Sequence, residues 1–227
     1  MSLRTGYVIT AFLPVLYCGF QNPIGIWWVF MHGPAPMPLH LYRRALRVSE
    51  FIPVTNLVIV GAVLWLAVRM EKVSLPPPEG DLRTALRMAA VGLGAAAIWL
   101  LLCVAIYATA RPRSTHFATS RLVQKSFMFW VPMSLAAAVV EELWRAVCLY
   151  TLSGLGRARS VAITSLAFGL AHADSPGHVA STMLIAAWLG VIFLSTQSLV
   201  AIVIAHVAIN IGMVVLARSW YRFGHSP

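Results

Sequence analysis

The chain of 227 residues contains seven acidic side chains, and two of them, Glu141 and Glu142, are adjacent inside an apolar run with Arg145 one turn later. A charged side chain at the centre of an inserted helix costs about 3 kcal/mol. Three such residues in one segment need protein or water around them. Glu141 and Arg145 stand at i, i+4, and Glu142 and Arg145 at i, i+3, so either carboxylate can pair with the guanidinium, which suits a bidentate match. One arginine leaves one carboxylate surplus, in need of a proton, a water or another donor, and the acidic pair has to be treated as one coupled titration. The plain alternative is a buried salt bridge that only fixes helix packing. Such pairs are weak devices for stability, whereas ionisable groups in an apolar span mark function by default.

Two histidines lie in later apolar stretches, His172 at the end of Phe168-Gly169-Leu170-Ala171-His172 and His206 at the start of His206-Val207-Ala208-Ile209-Asn210. Phe168 and His172 are four residues apart, as are His206 and Asn210, so each pair shares a helix face. A single His in such a place can be a packing residue. Two on different helices, with a carboxylate pair on a third, supply what activation of a water needs: a base, an imidazole, and an amide or imidazole donor for a developing oxyanion. The remaining histidines read as solvated: His32, His40, His116 and His225 in loops or the tail, and His178, after Pro176-Gly177, at a membrane rim. Asp174 can orient the His172 ring or cap the following helix, and capping is the simpler role.

The elements that must hold these groups follow from composition. Hydrophobic residues make up 59% and charged residues 11% of the chain, about half the charged share of a soluble domain. The expected fold is all-α, a polytopic transmembrane helix bundle of about seven spans, six to eight, each needing roughly 20 apolar residues. The spans read as Tyr7–Met31, kinked at Gln21-Asn22-Pro23, then Phe51–Met70, Leu86–Ala110, Phe127–Leu152, a short Ser160–His172, Val179–Leu194 and Leu199–Ala217. The Arg43, Arg44 and Arg47 segment suits a surface helix, Pro76-Pro77-Pro78-Glu79-Gly80-Asp81 is a turn, and Ala89-Ala90-Val91-Gly92-Leu93-Gly94-Ala95 suits close helix packing. Cys18, Cys103 and Cys148 form no metal spacing and read as packing thiols. The N-terminus reads as an anchor, without an evident cleavage site.

The formal charge of +10 belongs to short loops facing anionic lipid, and no basic soluble module is present that would read nucleic acid. With Arg145 set aside, Lys and Arg divide nine to seven in favour of the side that carries the C-terminus. That leans towards a cytoplasmic C-terminus.

Together the three segments resemble the CPBP family of intramembrane glutamic proteases, the CAAX protease and bacteriocin-processing or Abi family. That family is marked by Glu-Glu-x-x-x-Arg, Phe-x-x-x-His and His-x-x-x-Asn motifs on successive helices. Phe168 with His172 matches the second and His206 with Asn210 the third, and the resemblance runs over about residues 126–217. The first motif departs from the pattern, since Glu141-Glu142-Leu143-Trp144-Arg145 has two residues rather than three before the arginine. Anchored on the acidic pair, Glu141 takes the place of the family's catalytic first glutamate. Anchored on Arg145, Val140 falls there and Glu141 becomes the second. The first frame keeps a carboxylate where the chemistry requires one.

The resemblance implies an endopeptidase that hydrolyses a peptide bond at membrane depth, in a membrane-anchored protein or peptide substrate. Glu141 with His172 would activate the water, His206 and Asn210 would stabilise the oxyanion, and Glu142, Arg145 and Phe168 would support the site, with no cofactor. Residues 1–125 would be accessory helices and loops, 126–217 the catalytic helix core, and 218–227 a polar C-terminal tail, all in one membrane domain. Three rivals stand beside it. A zinc-dependent protease would use Glu, His and His as ligands, without an HExxH helix. A proton-coupled transporter also uses buried Glu, His and Arg, but no paired repeat is visible. A non-catalytic scaffold or sensor would keep a degenerate site. The expected location is a bacterial inner membrane.

Overall fold

The computed structural model describes residues 31, 32, 38, 41, 80–110, 127–172 and 176–224. Among them every regular element is helical and there is no strand. Five α-helices follow in chain order: α1 (Leu82–Ala110), α2 (Phe127–Thr151), α3 (Arg157–Ala171), α4 (Pro176–Thr196) and α5 (Leu199–Gly224), with a 3-10 turn at Ser153–Leu155 between α2 and α3. The expected spans Tyr7–Met31 and Phe51–Met70, the arginine loops around residues 43–47 and 111–125, and Asp174 lie outside the described residues, save Met31.

Among the described residues, three stretches are long and apolar enough to cross a membrane: Leu82–Ile106, Gly177–Thr196 and Leu199–Leu216. Leu86, Leu93, Ile98, Leu101 and Ile106 on α1 are exposed. A band of that kind is stable when its solvent is lipid and the helix satisfies its own backbone. The chain is an integral membrane protein. α3, at 15 residues, is only about 22 Å long and falls short of a hydrocarbon core of roughly 30 Å.

Four helices, α1, α3, α4 and α5, begin or end beyond the sequence expectation. Pro176 and Gly177, which lie before the expected span Val179–Leu194, form the first turn of α4. Proline is well placed there, because its missing N–H is not needed in the first turn. α5 runs on to Gly224, so most of the segment 218–227 continues a helix.

The described residues fall into two compact units, one within 140–197, the other within 80–139 and 198–224. In the first, α3 packs on α4. Gly169 makes this possible, since a Cβ there would strike the Val179 carbonyl and the Met183 side chain. Around it, Trp144, Val147, Cys148 and Leu152 of the α2 side pack with Ala167 and Phe168 of α3 and Ala186 of α4. The turn from α2 into α3 is tied by the Ser160 hydroxyl, which donates to the Leu152 carbonyl at 2.6 Å and the Gly156 carbonyl at 3.0 Å. Gly156 adopts φ +88°, a conformation that glycine enters without strain.

In the second unit, α1 packs on α5. Gly92 lies against the backbone of Ala201 and Ala205, and Gly212 against Leu100. This is the close approach that small residues allow between membrane helices, and it places the Ala/Gly patch of α1 at a helix seam. α1 starts at Asp81, whose Oδ1 accepts the Thr84 backbone N–H at 2.6 Å. α5 starts at Ser198, whose Oγ accepts the Ala201 N–H at 3.0 Å. Both are N-caps that satisfy otherwise orphaned donors.

Candidate active site

The acidic pair separates into two environments. Glu142 and Arg145 are fully buried, and they are joined by two hydrogen bonds: Arg145 Nε donates to Glu142 Oε2 at 2.7 Å and Nη2 donates to Oε1 at 3.0 Å. Arg145 Nη1 donates to the Ala186 carbonyl of α4 at 3.2 Å. Its Cζ lies 4.3 Å from the centroid of the Phe168 ring, within reach of a cation–π attraction. So α2 is tied to α3 and α4 through one guanidinium. The shortened motif still works as a pair, because i, i+3 and i, i+4 both put two side chains on one helix face.

Glu141 faces elsewhere. Its Oε1 stands 3.8 Å from His172 Nε2, and their side chains are 25% and 28% exposed. His172 Nδ1 lies 2.9 Å from the Phe168 carbonyl. A carbonyl only accepts, so Nδ1 carries the proton of that bond. Nε2 is left towards Glu141, either as a lone pair or, in the imidazolium, as a donor. The His172 ring also leans on Phe168 at 4.4 Å between centroids, and Trp144 stacks on Phe168 at 6.3 Å.

The helical register explains this convergence. Glu141, Trp144 and Arg145 share one face of α2, while Phe168 and His172 share one face of α3. The helices run antiparallel through the Ser153–Leu155 turn. Glu141 therefore meets His172 while Arg145 meets Phe168, and further along Leu152 meets Ser160. The Phe of the second motif is thus a platform with Arg145 and His172 on it.

His206 and Asn210 belong to the second unit, one turn apart on α5. His206 is buried and Asn210 half-buried. Ala205, beside His206, lies at the contact with Gly92 of α1.

Some of these relations are not legible in the sequence. The acceptor for Arg145, the Ala186 carbonyl, carries no side-chain signal. His178, which reads as a rim residue, has its ring 6.0 Å from that of His172. Among the described residues no group of three or more His, Cys, Asp or Glu side chains is arranged to hold a metal ion.

Comparison with known proteins bears on the same segment. No curated protein and no solved structure matches the chain. A family model does match, that of the Rce1-like type II CAAX prenyl endopeptidases, over residues 123–212. The match contains all three motifs, from Glu141 to Asn210, and its limits lie within a few residues of the stretch that carries the resemblance. Over residues 123–212 the chain is thus similar to the CAAX protease family.

Proposed function

We propose that the protein is a glutamic-type intramembrane endopeptidase in which Glu141 is the base. The observation that carries this reading is the division of labour between the carboxylates. Glu142 is closed off by Arg145, while Glu141 is partly open and stands at His172. A water bound between Glu141 and the substrate carbonyl gives one proton to the carboxylate as its oxygen adds to the carbonyl carbon. The C–N bond then breaks, and the proton passes to the leaving nitrogen, with His172 stabilising the charge that moves. By the family resemblance, His206 and Asn210 serve the oxyanion of the tetrahedral intermediate. No covalent intermediate and no metal enters the scheme.

In this reading residues 126–217 form the catalytic core of a bundle of about seven spans, residues 1–125 are accessory and 218–227 are a polar end. The substrate is a protein or peptide anchored in the bilayer. The prenylated C-termini named in the family description are the first class to try, and a bacterial inner membrane is the location we infer.

Cleavage of a prenylated-cysteine peptide by the purified chain in lipid discs tests the scheme. Glu141→Gln, His172→Ala and His206→Ala are each expected to lower kcat by a hundredfold or more, on the scale of losing a general base or an oxyanion donor, without loss of membrane insertion. Full turnover in all three variants would sink the protease reading and favour a scaffold. Stoichiometric zinc whose removal abolishes turnover would overturn the metal-free scheme, and proton flux in liposomes lost in the same variants would point to a transporter.

A further inference from the structure

α1 and α5 meet at a point where no side chain fits. Gly92 is buried. A Cβ there would strike the Ala201 carbonyl oxygen, with the carbonyl carbon and the Ala205 nitrogen each at 3.2 Å. These nearest atoms are all backbone, so no rotamer change makes room. Further along the seam, the nearest atoms to a Cβ at Gly212 belong to the Leu100 side chain, which is able to turn aside. The rigid point of the seam is therefore Gly92, and it lies on the turn of α5 that leads into His206. Ser198 closes the start of that turn, its Oγ accepting the Ala201 N–H at 3.0 Å.

Ala205 directly precedes His206. At 3.6 residues per turn, His206 and Asn210 stand roughly 120° and 160° round α5 from the line of Ala201, Ala205 and Gly212. α1 thus packs on the back of the helix whose other side carries the third motif. A methyl group at Gly92 would push α5 away from α1, in the direction in which the motif projects. Restoring an ordinary contact with the Ala201 carbonyl takes about 1 Å of movement. A misplacement of that size at a reacting geometry costs on the order of a hundredfold in rate. Glycine in mid-helix is unfavourable relative to alanine, so the close approach, not the helix itself, accounts for Gly92.

We propose that Gly92 is a positioning residue, through which α1 sets the place of His206 and Asn210. This rests on the reading of those two side chains as the oxyanion donors. α1 lies before residue 126 and outside the segment that matches the family model. It is then part of the catalytic core, not an accessory helix.

The test uses the full chain in lipid discs. Gly92→Ala is set beside Gly94→Ala, whose Cβ meets nothing within 4 Å. Ala96 is buried one turn along the Gly92 face, and Ala96→Val presses the same seam with side-chain atoms. That variant decides the matter if Gly92→Ala does not fold. The His206 Cε1–H resonance, assigned by its loss in His206→Ala, is read at one pH. It should shift in Gly92→Ala and Ala96→Val and stay in place in Gly94→Ala. With a prenylated-cysteine peptide, kcat should fall roughly ten- to a hundredfold in Gly92→Ala while KM stays within about twofold, the pattern of a contact made only in the transition state. In a background of His206→Ala with Asn210→Ala, Gly92→Ala should lower turnover no further, because its effect passes through the missing groups. An unmoved His206 resonance in the folded seam variants would overturn the proposal, as would an undiminished loss of turnover in that background. Full turnover in His206→Ala would sink the oxyanion reading instead, and the resonance would still decide whether α1 holds the ring.

Discussion

At the scale of single residues, the buried pair of Glu142 and Arg145 and the open Glu141 have opposite sensitivities. A buried ion pair gains little over well-packed apolar residues, but losing one partner strands the other charge. Arg145→Met leaves Glu142, fully buried, without its two hydrogen bonds, and is expected to cost about 3–5 kcal/mol. Glu142→Leu combined with Arg145→Met should recover most of that loss. Equilibrium unfolding of the two single variants and the double variant in detergent measures the coupling. Additive costs would mean that the pair has no special weight. Glu141→Gln should leave stability nearly unchanged, because its side chain keeps access to water.

The sequence shows this much of the site for a physical reason: charge inside an apolar run is costly enough to stand out without a structure. It does not show which carboxylate the arginine takes, since Glu141 and Glu142 both sit within one turn of Arg145. That choice is made by Ala186 and Phe168, which come from other helices. His178 was missed for the same reason. Its partner is six residues away across a helix break, and only tertiary packing brings the rings together.

At the scale of elements, periodicity and apolar run length give helix existence well and helix ends less well. Ser160–His172 reads as a weak fifth span, and α3 is indeed short, because the turn through Gly156 ends just before Arg157. The start of α1 falls at Asp81 because a carboxylate there does two things. It accepts the Thr84 N–H, and it places negative charge at the positive end of a long helix. The hydrogen bonds from the Thr84 backbone and side chain hold the Asp81 carboxyl below the usual carboxylate range.

A lowered folded-state value means that the cap is fully present above pH 4, the range of an unfolded Asp. Its stabilising effect is lost as pH falls through the lower folded value. Amide exchange at Thr84 and Ala85 is therefore expected to speed up on acidification below pH 4 in the wild type. Asp81→Ala should show the fast exchange at every pH, and a pH-independent protection factor in the wild type would show that the cap is not what starts the helix.

At the scale of the whole molecule, a chain with only 11% charged residues has few polar groups with which to meet a substrate from water. The charge of +10 sits almost wholly outside the apolar stretches, with Arg145 as the one cation placed deep in a span. An exposed apolar band on α1 faces lipid, and the hydrolytic pair we propose lies at the end of α3, a helix too short to cross the bilayer alone. In the reading we propose, substrate arrives through or along the membrane, already anchored there. A strain lacking this chain should accumulate uncut precursors whose cleavage sites lie next to a lipid anchor or a membrane span, seen as longer C-terminal or leader peptides in the membrane proteome. The wild-type chain restores processing and Glu141→Gln does not. Restoration by Glu141→Gln would mean that the chain acts on those precursors by holding them, not by cutting them, and the scaffold reading would replace the protease.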